Sequence, residues 1–170
     1  DSNGTLITDS GTIYSPSFGL LKAPMLATSV DTNKRGFVFR VWQNELTDHG
    51  NQTSAVKDIL AAAPQDIDGS TLENDAYLDE AGPASGSGKL VGHLAEYEIP
   101  TVINLNGQVI DGMENGNFLP DDQMPGIPGN WGSYDGIAGE IITFIDFPEG
   151  MLTMGVNSDD GFELSIGHIN

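Results

Sequence analysis

The sequence predicts an all-β fold, an antiparallel β-sandwich with one short helix and long loops. Three observations point to it. Stretches of strand character recur along the chain between Gly, Asp and Pro signals, the clearest of them alternating with period two. Only one stretch, 53–64, has the apolar spacing of a helix. The 22 Gly and 9 Pro among 170 residues supply the turns and irregular connections that such a fold needs.

Residues 1–34 read as a segment of short strands and turns, in which "TLIT", "GTIYS" and "APMLATSV" are separated by Gly, Asp and Pro-Ser. This segment is part of the domain spanning 35–170 or precedes it. The firmest strand is "GFVFRVWQN" at 36–44. Phe37, Phe39 and Val41 share one face, Val38, Arg40 and Trp42 the other, which suits a central position in a sheet. In "TSAVKDILAAAP", Thr53 or Ser54 can cap a helix whose stripe is Val56, Ile59, Leu60 and Ala63, and Pro64 marks its end. From 64 to 95, "DIDGS" and "GPASGSGK" predict a mobile excursion with a short strand near Tyr77-Leu78. After "EYEIPTVINLNGQ" comes an irregular region, 111–136, carrying Phe118, Met124, Ile127, Trp131 and Tyr134. That apolar load predicts a loop packed against the rest of the fold. "AGEIITFIDFPEG" is apolar on both faces from Ile141 to Ile145, and "TMGVNSDDGFELSIG", 153–167, reads as strand, turn, strand.

The length suits one domain, and no apolar run reaches 18 residues. The first residues lack the basic and apolar regions of a signal peptide, so a secreted source implies a mature or internal piece. Six Lys and Arg against 25 Asp and Glu give a net charge of −19, which disfavours nucleic acid and anionic lipid as partners. Metal cations, cationic surfaces and neutral ligands stay open; solubility in a salty or extracellular medium is the plainer account of the charge. The absence of cysteine removes disulfides, thiolate catalysis and Cys-ligated zinc. His49, His93 and His168 are scattered, and neither HExxH nor GxSxG occurs. Carboxylates are too abundant to mark a glycosidase pair. An enzyme is not expected.

Two acidic stretches merit weighing for calcium. "PQDIDGSTLEND" sets Asp66, Asp68, Gly69 and Asp75 at EF-hand positions, but puts Pro64 at the first of them, and an exposed acidic turn is the better reading. In "NSDDG", a primed hairpin turn accounts for Asp160-Gly161 and leaves Asp159 without a role. Carboxylates about 4 Å apart repel by about 1 kcal/mol in water and about 4 kcal/mol at an effective dielectric near 20. A hard cation between them reverses the sign, so Asp159 and Asp160 are candidate Ca²⁺ ligands.

"FPEGMLTMGVNSDDGFELSIG" resembles the signature hairpin of the protective-antigen-type (PA-fourteen) β-sandwich family. "GFVFRVWQN" resembles that family's opening strand, and "DDQMPGIPG" followed by "AGEIITFIDFPEG" resembles a bacterial secreted variety of the domain. The resemblance covers about residues 35 to 167. It implies a β-sandwich of secreted glycosidases, adhesins and toxins that often binds glycans. In the flocculin branch, adjacent aspartates joined by a cis peptide hold a Ca²⁺ that coordinates sugar hydroxyls, a role the resemblance carries to Asp159 and Asp160. Asn157, beside the tip, and Trp131 and Tyr134, which could stack on a sugar face, complete the candidate ligand-binding set. The expected function is therefore an extracellular or cell-surface carbohydrate-binding or adhesion module, calcium-assisted where Asp159 and Asp160 hold the ion. The alternative is a non-catalytic structural or assembly domain of a surface or secreted multidomain protein. A last strand at Phe162–Ile166 would present an open edge. The expectation is a C-terminally incomplete domain, with further strands in a longer source chain or in a partner subunit or domain.

Overall fold

The computed structural model describes residues 6–7, 13–14, 33–45, 52–79, 82–108, 119–145, 150, 153–158 and 160–164. The chain divides into two compact units, one of Asp1–Val30 with Leu164–Asn170, the other of Asp31–Glu163. In the first, β1 (Leu6–Ile7) and β2 (Ile13–Tyr14) form an antiparallel pair.

The second unit is built on a four-stranded antiparallel sheet of β3 (Phe37–Gln43), β4 (Lys89–Val91), β5 (Leu94–Ile99) and β8 (Ile137–Ile142), in the order β4-β5-β3-β8. The mainly β, antiparallel character read from the sequence is borne out, as is the central place of β3. Its alternation explains that place. Phe39 and Val41 pack with Ala95, Tyr97 and Ile99 of β5 on one face, whereas Trp42 packs with Leu94 and Ala138 on the other. A strand that buries both faces must have neighbours on both edges and cover on both sides.

The two covers differ. Over the Trp42 face lies α1 (Thr53–Ala61), which brings Val56, Ile59 and Leu60 onto Trp42. The cap is Gln52 rather than Thr53 or Ser54, and the backbone turns extended at Ala62, so the helix stops before the predicted Ala63. Over the Phe39 face the cover consists mainly of irregular chain: Ala76, Leu78, Ala84, Ile103, Met124 and Ile127 fill the core. A short parallel pair, β6 (Leu105–Asn106) with β7 (Asp122–Gln123), is its regular part. The apolar load of the 111–136 region thus has its use, with Ile127 wholly buried. Phe118 lies outside the described residues.

Two expectations are corrected. The 64–95 region is no loose excursion. Gln65 bridges Thr71, Asp75 N donates to Gln43 O at 2.8 Å, and Tyr77 N donates to Gly126 O at 2.9 Å. These bonds lay Tyr77 along irregular backbone instead of a ladder, so no strand forms at Tyr77-Leu78. The closing strand–turn–strand is likewise not formed among the described residues. Residues 153–158 and 160–164 have no ladder partner and stay exposed, Met154, Val156, Phe162 and Leu164 included. Alternation marks a face, but a strand also needs a partner edge.

One rung of charge crosses the whole sheet. Lys89 opposes Glu96, Glu96 opposes Arg40, and Arg40 opposes Glu140. Arg40 reaches Glu96 at 2.7 Å and Glu140 at 3.0 Å, while Lys89 reaches Glu96 at 3.0 Å. Burial pushes the Glu96 carboxyl up, but the Arg40 and Lys89 hydrogen bonds outweigh it and hold the group below the usual carboxylate range. Its hydrogen bond to Glu96 raises Arg40 in turn.

Candidate functional site

The larger of two surface recesses lies where β3 ends. There β5 has begun at Leu94, and the ladder would leave the last groups of β3 without partners on that side. The side chain of Asn74 takes them up. Its Oδ1 accepts from Gln43 N at 3.0 Å and Ala76 N at 3.1 Å, and its Nδ2 donates to Val41 O at 2.9 Å and His93 O at 3.1 Å. One amide thereby ties the 71–76 segment and the β4–β5 turn to the end of β3.

Gln43 fixes the other flank. It is wholly buried, and its Nε2 donates to Ser133 O at 2.7 Å and Asp135 O at 3.0 Å. Asn130 N donates to Asp75 O at 2.7 Å, so the 129–136 loop is bound to the same strand end. Gly129 permits the approach: its φ is +63°, and an added Cβ would strike the Asp75 carbonyl.

Between these supports is a surface cavity of about 390 Å³. Trp42, Leu72 and Leu90 form its apolar walls, and Thr71, Glu73 and His93 bring polar groups to it. His93 meets the Trp42 ring edge-on at a centroid distance of 5.5 Å. Its Nε2 lies 2.6 Å from Ile59 O, a contact that requires the hydrogen on Nε2 and fixes the ring to α1. Trp42 is fully buried, and its Nε1–H has no acceptor among the described residues. Neither Lys nor Arg lines the cavity. Burial, followed by the nearby Glu45 and Glu73, pushes the Asp75 carboxyl up. A smaller recess of about 160 Å³ runs along Ser85, Ser87 and the charge rung at Lys89 and Glu96.

The residues singled out by sequence are arranged otherwise. Asp159 lies outside the described residues, while Asn157 and Asp160 are exposed. Trp131 is half-buried and lays its ring against Gly136, where an added Cβ would stand 3.1 Å from Cζ3. Tyr134 is partly exposed beside Gly107. Trp131 therefore packs within its own loop, whereas Tyr134 stands beside the segment at Gly107. The 66–70 stretch is an exposed turn, as read: Asp68 Oδ1 accepts from Ser70 N at 2.8 Å, and Ser70 hydrogen bonds hold the Asp68 carboxyl below its usual range. Among the described residues no group of three His, Asp or Glu side chains is placed to hold a metal ion.

In the sequence His93 is one of three scattered histidines, and Thr71, Glu73 and Asn74 belong to no motif. The available signal was "STLENDAY", a polar and apolar mixture rich in hydrogen-bonding side chains directly after a turn. Among the described residues no helix is long and apolar enough to cross a membrane. No family model, curated protein or solved structure matches the chain. Its class is therefore defined by architecture: a mainly β domain on a four-stranded antiparallel sheet, with a recess at the end of its central strand.

Proposed function

We propose that the chain is a non-catalytic extracellular binding and adhesion module whose ligand is a carbohydrate held in the Trp42–His93 cavity. The observation that carries this reading is the cavity's lining, which sets the apolar surfaces of Leu72 and Leu90 beside the polar groups of Thr71, Glu73 and His93. A sugar ring has the same two-sided chemistry, with C–H faces and a belt of hydroxyls. The volume falls at the small end of the range for ligand pockets, about 300–1,000 Å³. The resemblance to the protective-antigen-type family supports the same class of ligand. Calcium at Asp159 and Asp160 is a separate, auxiliary proposal.

Calorimetric titration of the chain with a saccharide panel, with and without chelator, tests this. Leu90 is exposed at the cavity rim, so Leu90→Trp should fill the recess with little effect on folding and weaken binding about tenfold or more. Saccharide binding that survives Leu90→Trp would remove the cavity from the account. Binding that falls on chelation and in Asp160→Asn would place the ligand at the acidic tip.

A second reading, a structural or assembly module, is favoured by one observation. β8 has no neighbour on its outer side among the described residues, and Ile141, Phe144 and Ile145 near it are 47%, 61% and 50% exposed. Unprotected edges invite strand addition. Sedimentation velocity should then show association that rises with concentration and is abolished by Ile141→Lys. A monomer at all concentrations rejects this reading.

A further inference from the structure

We infer that the outer edge of β8 takes residues 153–158 of a second copy of this chain as an added strand. This rests on the assembly reading given above and names the segment that is added.

Three observations carry it. The first is the contrast between the two edges of the sheet. At one edge β4 spans only Lys89–Val91 and carries a lysine, so it is short and charged. At the other, β8 runs for 6 residues, Ile137–Ile142, with neither Lys nor Pro to blunt it. Its charged side chain, Glu140, is engaged by Arg40 at 3.0 Å.

The second is the segment itself. Residues 153–158 are uncharged in a chain of net charge −19, and they set Met154 and Val156 at alternate positions. All are exposed and have no ladder partner among the described residues. One chain thus leaves open both an edge and a strand-patterned segment, although only residues 143–152 separate them. Beyond the segment, Lys57 of α1 holds Glu163 at 2.6 Å, so both sides of the exposed span belong to the same domain.

The third is the fit between the two. Ile137, Gly139 and Ile141 share the face of Phe39 and Val41, and Ile141 is exposed there. Met154 and Val156 laid on that face cover Ile141, while Thr153, Gly155 and Asn157 come beside Glu140 without adding charge. Antiparallel pairing of β8 with a second β8 fits less well. The broadest registers that keep the faces matched set Glu140 against Glu140 or Gly139 against Gly139. They also leave Met154 and Val156 uncovered.

The experiment is sedimentation velocity of the whole chain over a range of concentrations, with added salt because two chains of net charge −19 repel. The unaltered chain is expected to associate. Ile141→Lys disables the edge, and Gly155→Pro combined with Val156→Pro disables the segment by removing N–H groups that point to both sides of a strand. Each is expected to weaken association about tenfold or more. The prolines fall where the single chain has no ladder bond, so its amide spectrum should otherwise stay as it is. Mixing the two disabled chains is expected to restore association as a one-to-one pair, since one keeps the segment and the other keeps the edge. Association that survives the prolines but not Ile141→Lys overturns the inference and leaves the assembly reading standing. A mixture that stays monomeric overturns it as well. An unaltered chain that is monomeric throughout rejects both.

Discussion

Replacing Asn74 by alanine is expected to lower unfolding stability by about 3–5 kcal/mol, among the largest effects of any single substitution outside the apolar core. The reason is the number of backbone groups that one amide serves. Val41 O, His93 O, Gln43 N and Ala76 N all bond to it, and the deletion strands two donors and two acceptors in a partly buried place. Asn74→Asp separates the donor half from the acceptor half. The carboxylate still accepts from Gln43 N and Ala76 N, but it now faces Val41 O and His93 O with charge instead of with N–H. The two carbonyls push its folded pKa up from the unfolded value of about 3.9 against the pull of the two N–H donors, and the prediction is that the carbonyls prevail. The resulting penalty is full above the folded pKa and is relieved as pH falls through it. Denaturant melts at pH 7 and at about pH 4 should show Asn74→Asp gaining on Asn74→Ala as acid is added. A constant gap would mean that the two carbonyls do not sense the side chain.

The second large effect is expected at Arg40. Arg40→Met removes the cation between Glu96 and Glu140 and leaves a nearly buried carboxylate with Lys89 alone, at a cost of about 2–3 kcal/mol at neutral pH. The folded pKa of Glu96 lies below its unfolded value, so its contribution is present above about pH 4.3 and is lost as pH falls through the folded value. The gap between wild type and Arg40→Met should accordingly narrow in acid. Adding Glu96→Gln and Glu140→Gln to Arg40→Met should recover most of the loss, because the unmatched charges leave with their partner. Failure of that rescue would show that Arg40 acts through the packing of its aliphatic stem.

What could be read from sequence follows from what period and composition encode. Phe37 to Gln43 was legible because alternation with two apolar faces admits few places other than the middle of a sheet. The helix was legible from its stripe, whereas its cap was not: Gln52 takes the position without a side-chain bond, so no Ser or Thr signal applies. The packing of Ile127 could be anticipated from an apolar residue in an otherwise irregular stretch. The closing segment shows the limit of the method. Met154, Val156, Phe162 and Leu164 alternate well, yet alternation does not name the edge on which a strand will lie, and none is used by these residues. The recess was illegible for a related reason. The task of Asn74 arises from where β5 begins relative to β3, and its partners on β3 and in the β4–β5 turn lie 19 to 33 residues away, a relation that no local pattern records.

The alternation of Lys89, Glu96, Arg40 and Glu140 also bears on how the chain finds its pairing. Sliding β8 by two residues along β3 would keep every side chain on its proper face, so apolar burial alone scarcely opposes that error. The same slide would set Arg40 against Ala138 or Ile142 and strand Glu140 opposite Val38 or Trp42. The rung thus works as a proofreading device during assembly, penalising the one class of misalignment that hydrophobicity tolerates.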